Sequence, residues 1–200
     1  FYGMDYEVLM DWIEQGILTV TPSPQTIAGY LVSYINTTAI LQKREITLKE
    51  HIWYLFEYDC GQNWMDNRNG GHPYYPYKYL IENGKLDRMR VLRESLLAVN
   101  RNMNKNLCGW FAGMFTALTP SIEEQLTLQP EILAVLSAPH SRPVNIMLGL
   151  LKGLCNHPQF RIEEFLNQTS VLFASDVKAI HQNTLAVLNK LAKERKEFRD

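Results

Sequence analysis

Leu148-Gly149-Leu150-Leu151-Lys152-Gly153-Leu154 and Leu185-Ala186-Val187-Leu188-Asn189-Lys190-Leu191 decide the fold of this chain. In each stretch leucines recur at every third position, and the two ladders stand 37 residues apart. The same displacement carries Val135-Leu136 onto Leu172-Phe173, and the turn Ala138-Pro139 onto Ser175-Asp176. Side chains three or four apart share one face of a helix. A helical hairpin cannot bury that face alone, whereas neighbours stacked at a fixed offset make a continuous core. Phe111 and Met114 mark a third, weaker copy one step earlier. The clearest repeat hairpins lie in 121–200.

Working outward, helix signals dominate. Val8, Leu9, Trp12 and Ile13 share a face that Gly16 terminates. Pro22 and Pro24 open a second helix, since a first-turn proline lacks only an N–H that has no partner there. Thr47-Leu48-Lys49-Glu50 and Ser121-Ile122-Glu123-Glu124 have the form of capping boxes, and Asp87 that of an N-cap. Asn83-Gly84 and His157-Pro158 mark turns. Pro130 breaks or kinks its stretch, and Pro143 stands near a helix start. No segment alternates apolar and polar residues as a strand does. The expectation is an all-α chain of about ten helices, an α-α superhelix of the HEAT/armadillo-like solenoid type. It forms a single helical-repeat domain over 1–200, excised from a longer protein.

Of the 200 residues, 46% are hydrophobic and 20% charged, as in a folded domain. A net charge of -1 gives no general attraction to nucleic acid or anionic membrane. No apolar run reaches the length of a membrane span. Three cysteines without a CxxC pair argue against a disulfide framework and fit a reducing cytoplasm.

The stretches Asn83-Gly84-Lys85-Leu86-Asp87-Arg88, Trp110-Phe111, Leu118-Thr119-Pro120-Ser121-Ile122-Glu123-Glu124 and Thr184-Leu185-Ala186-Val187-Leu188-Asn189-Lys190-Leu191-Ala192 carry a resemblance. Across 81–200 the chain resembles a bacterial family of HEAT-like helical-repeat domains, a domain of unknown function. The first 80 residues match it loosely, through 53–57 and Trp64. The resemblance implies an α-solenoid and no catalytic residue. Members of that family occur in larger bacterial proteins, some encoded near SWIM zinc-finger or MoxR-type ATPase proteins, which implies a multi-protein setting.

The strongest local anomaly is aromatic. Nine of the 22 aromatic residues fall within 53–79, around an Asn/Gly-rich loop at 60–76. Tyr and Trp join a large contact area to a polar handle, which suits interfaces. Trp64, Asn67, Arg68, His72, Tyr74 and Tyr75 are therefore the candidate interaction surface. The competing reading is that these rings pin the loop onto the helices.

Other patterns are structural. The five histidines are scattered without HxxxH or HExxH spacing, so no metal site is expected. Glu123-Glu124 and Glu163-Glu164 fall in first helical turns, where carboxylates favour the helix dipole. Ser175-Asp176-Val177-Lys178 matches SxxK without its companion motifs. No catalytic residue and no cofactor are expected. The chain reads as a cytoplasmic protein-interaction scaffold, with other proteins as partners and no membrane. The alternative is a nucleic-acid-binding helical repeat, which needs Arg88, Arg90, Arg93, Arg101 and Lys105 to converge. The third reading is an enzyme with a pocket near 60–79.

Overall fold

The computed structural model describes residues 5–64, 74–101 and 103–194. Their regular structure is all helical, with no strand among these residues. No helix among them is long and apolar enough to cross a membrane. The chain divides into two compact units, Phe1–Glu94 and Ser95–Asp200.

In the first unit, α1 (Tyr6–Glu14) begins at Asp5, whose carboxylate accepts the Val8 amide at 2.8 Å. It ends before Gly16, whose φ of +66° suits a residue without a Cβ. Ser23 caps α2 (Pro24–Leu31), which places Pro24 at its first position and runs into a 3-10 turn. Next come α3 (Thr38–Leu41), a π-helical turn over Thr47–His51 and α4 (Ile52–Glu57). The capping box expected at Thr47 does not form. The helix begins two residues earlier, and Thr47 is buried inside it without capping a terminus. After the undescribed residues, α5 (Tyr75–Glu82) stops at Asn83-Gly84, where Gly84 has a φ of +65°. α6 (Arg88–Asn100) follows, its residues up to Glu94 belonging to this unit, with the Arg90 amide donating to Asp87 at 2.5 Å.

In the second unit, Asn104 accepts the amides of Asn106 and Leu107 at 3.0 Å to start α7 (Lys105–Ala117). The Ser121–Glu124 capping box forms in both directions and opens α8 (Ile122–Thr127). Pro130 sits in the first turn of α9 (Gln129–Ala134), where it starts a helix instead of kinking one. A 3-10 turn over Val135–Ser137 then leads to α10 (Ser141–Leu154), α11 (Ile162–Phe173) and α12 (Lys178–Glu194). α10 packs against both α7 and α12, while α11 packs against α9 and α12.

Burial corrects the offset of the ladders. Val144, Leu148 and Leu151 of α10 are buried, and so are Ile180, Thr184 and Val187 of α12, each 36 positions on. Thirty-six positions back, Cys108, Ala112 and Phe115 of α7 are buried too. Three helices thus turn the same positions inward. In the second ladder only Leu191 is core, because Leu188 is half-buried and Leu185 is 48% exposed. Thr184 takes the inward place by donating its hydroxyl to the Ile180 carbonyl at 2.8 Å, which removes the cost of burying it.

One buried amide clips the α8–α9 hairpin to the next. Gln129 donates to the Gln159 carbonyl at 3.0 Å and accepts the Arg161 amide at 2.9 Å. Thirty-six positions on, Phe165 fills the equivalent buried place. Gln129→Leu keeps the volume and leaves both backbone groups unanswered. A loss of about 1–3 kcal/mol is expected in urea unfolding; an unchanged midpoint would show that the clip contributes nothing.

Candidate functional site

The aromatic segment separates into a packed part and a displayed part. α4 places Trp53 and Phe56 inward, their rings stacked with centroids 5.8 Å apart. Tyr77 of α5 meets Phe56 edge-on at 5.4 Å. The Arg90 guanidinium lies 3.8 Å from the centre of the Trp53 ring, a cation–π contact made by one of the five basic residues that a nucleic-acid reading needs to converge. The loop is anchored at its start by Gln62, which lies in a helical turn over 62–64. Its buried side chain donates to the Leu55 and Tyr58 carbonyls and accepts the Cys60 amide at 3.0 Å. These groups cap the end of α4.

Of the six candidate surface residues, Trp64 is 62% exposed and Tyr75 is 48% exposed. Tyr75 lies against Tyr79 with ring centroids 5.8 Å apart. Tyr74 is half-buried and left-handed, with a φ of 68° that turns the chain into α5. Asn67, Arg68 and His72 lie outside the described residues. Arg93, Arg101 and Lys105 are exposed; Arg93 belongs to the first unit and the other two to the second.

A polar cluster that sequence reasoning missed lies in the core of the first unit. The Tyr6 hydroxyl is 2.7 Å from Thr47 Oγ1 and 2.8 Å from His51 Nδ1. All three residues are buried. Burial pushes the Tyr6 phenol up to about 12 and the His51 imidazole below its usual range, so both are neutral near pH 7. The network is satisfied when Thr47 donates to Tyr6 and Tyr6 donates to an unprotonated Nδ1. A hydroxyl beside an imidazole is the form of an activated nucleophile. Here the hydroxyl is fully enclosed, and the pair fastens α1 to the π-helical turn. Positions 45 residues apart give no local signal of such a pairing.

Beside it lies an ion-pair network. Arg44, with its side chain 11% exposed, meets Glu7 at 2.7 Å, Glu14 at 2.9 Å and also Asp11. Lys43 pairs with Glu7 as well. Burial pushes the Glu7 carboxyl up, but Lys43 and Arg44 outweigh it and hold the group below the usual carboxylate range. A groove of about 410 Å³ is lined by Arg44, Leu48, Lys49 and Lys85. Arg44 brings no uncompensated charge to it, since three carboxylates already answer the guanidinium.

In the second unit, Ser175 of the SxxK stretch accepts the Val177 amide at 3.2 Å and so builds the turn before α12. Cys108 and Cys155 are buried, and burial pushes the Cys60 thiol up, away from a reactive thiolate. No group of three His, Cys, Asp or Glu among the described residues is arranged to hold a metal ion. An apolar groove of about 360 Å³ runs past Leu136, Val144, Val171, Val177 and Ile180.

The Arg44 network yields a signed prediction. A carboxyl whose folded pKa is depressed contributes stability above its unfolded pKa and loses it as pH falls. Wild-type stability is therefore expected to drop as pH falls through the carboxylate range. Arg44→Gln is expected to cost about 1–3 kcal/mol at pH 7 and to flatten that acid loss. Urea unfolding at pH 7 and in mild acid measures both. Parallel pH profiles for the two proteins would contradict the role given to Arg44.

No curated protein and no solved structure matches the chain. A family model, described as a domain of unknown function (DUF6493), matches residues 1–179. Its extent differs from the resemblance carried by 81–200, since it takes in the first 80 residues and stops before 184–192. Nearly all of α12 lies beyond the match. The match spans most of the sequence, and the chain belongs to the DUF6493 family.

Proposed function

We propose that this chain is a non-catalytic protein-interaction scaffold of the α-solenoid, HEAT-like type, acting in the bacterial cytoplasm. The carrying observation is that α7, α10 and α12 bury equivalent positions at a 36-residue offset. Stacked hairpins of this kind spend their apolar residues on neighbouring layers and leave long helical faces free for partners. Trp64 and Tyr75 add exposed aromatic anchors of the type that dominates protein interfaces.

Photo-crosslinking separates the three classes. A photoreactive residue is placed in turn at Trp64, Tyr75, Arg93 and Leu185, and the full chain is expressed in its native organism. Discrete adducts that protease removes and nuclease does not are expected at one or more aromatic or apolar positions. Nuclease-sensitive adducts concentrated at Arg93 would favour nucleic-acid recognition. An absence of macromolecular adducts, together with turnover of a small molecule, would favour an enzyme.

A further inference from the structure

We propose that the edge of the second unit at which α7, α10 and α12 begin binds an extended acidic segment of a partner protein, with one apolar side chain seated between α10 and α12. The proposal rests on the scaffold reading and names its surface. First turns divide the helices of this unit into two kinds. α8, α9 and α11 carry acids there: Glu123 and Glu124, Glu131, and Glu163 and Glu164. α7, α10 and α12 carry none. They begin instead with Lys105, Arg142 and Lys178, all exposed. A cation in a first turn opposes the dipole of its own helix, so helix stability does not account for the pattern. Local rules of this kind are broken chiefly at functional surfaces.

The register gathers these cations. Arg142 and Lys178 stand 36 positions apart, and Lys105 is one residue short of the equivalent place on α7. α10 packs on both α7 and α12. Two contacts fasten the start of α10 to α7. His140 Nε2 is 3.4 Å from the Met103 carbonyl oxygen. Arg142 lies over Gly109, where a Cβ would come within 2.9 Å of its Cδ. Gly109 therefore lets the arginine rest against α7, one helical turn from Lys105. Among the described residues no ion pair holds Lys105, Arg142 or Lys178. Asp176 is the one carboxylate within two positions of any of the three.

The apolar groove of about 360 Å³ opens at this same edge. Pro139 and Ser141 line it beside Arg142, and Val177 lines it beside Lys178, together with Val144, Val171 and Ile180. Both of its walls belong to this chain, so the groove is independent of whatever stacks beyond α12. An apolar groove within a row of cations is the complement of an apolar side chain flanked by carboxylates. An extended chain rises about 3.3 Å per residue, so carboxylates at every third position repeat at about 10 Å. Packed helices repeat at about 8–10 Å, which matches. Arginine also receives a carboxylate in two parallel hydrogen bonds. Nucleic acid fits this edge less well. Three cations make few phosphate contacts, and no aromatic ring lines the groove to stack a base.

The probe is a short fluorescent peptide with glutamate at every third position and leucine beside the central one, titrated with the full chain. Saturable binding is expected at low salt, with a Kd on the order of 100 μM, weakening as salt rises. Arg142→Glu with Lys178→Glu is expected to weaken it by about tenfold or more. Both residues are exposed, so an unchanged urea midpoint checks that the double variant folds. Gly109→Ala, which displaces Arg142 without changing the charge, serves as a second variant and is expected to weaken binding as well. Binding that is absent, equal in the wild-type protein and both variants, or indifferent to replacing the leucine by glycine would overturn the proposal. An oligonucleotide of the same charge that binds more tightly at these residues would overturn it by giving the edge to nucleic acid. A reversible dimer in sedimentation that the double variant abolishes would give the edge to a second copy, with the same result. Protein adducts at Trp64 or Tyr75 without peptide binding would leave the scaffold reading standing and remove this surface alone.

Discussion

The packing of α10 between α7 and α12 is the contact on which the second unit depends. Val144, Leu148 and Leu151 fill one inward stripe, and Cys108, Ala112, Phe115, Ile180, Thr184 and Val187 occupy equivalent places on its neighbours. Burying a leucine side chain contributes about 1.5–3 kcal/mol, so this register outweighs any single polar contact in the unit. The caps, turns and the Gln129 clip then follow from the spacing of the hairpins. Each puts a helix terminus or a buried amide where backbone groups need a partner.

The first unit is held differently. Its core contains aromatic rings with polar handles as well as aliphatic side chains, and those handles need partners once enclosed. Tyr6, Thr47 and His51 satisfy one another across a π-helical turn, and Arg44 gathers three carboxylates at its side. Both arrangements tie α1 to the same stretch of chain. That constraint sets the start of the helix that carries Trp53 and Phe56, and through them the position of the segment that displays Trp64.

Much of the helical framework was legible in the sequence because capping is local. Ser121 and Glu124, Asp87, Asn83-Gly84 and Gly16 all act where their spacing predicts. The second leucine ladder misleads because hydrophobicity alone does not fix which residues are buried. α12 carries apolar residues on its exposed as well as its buried positions, and Thr184 hides among the core positions by bonding to its own helix. Thr47-Leu48-Lys49-Glu50 misled in the opposite sense, since the same residues that cap a helix also sit within a π-helical turn when tertiary partners hold Thr47 inside. Of the candidate surface, aromatic enrichment pointed to Trp64 and Tyr75, which are displayed, but equally to Trp53 and Tyr77, which are core. The pairing of Tyr6 with His51 depends on two helices meeting, which no local pattern encodes.

The central claim is that α12 turns Ile180, Thr184, Val187 and Leu191 inward and Leu185 outward. An alanine scan along α12, read by urea unfolding of the full chain, tests it most directly. Leu191→Ala is expected to cost about 2–5 kcal/mol, and Val187→Ala a somewhat smaller amount. Leu185→Ala is expected to change stability by less than about 0.5 kcal/mol. A cost at Leu185 equal to that at Leu191, with Thr184 and Val187 neutral, would contradict the register and restore the leucine ladder as the packing face.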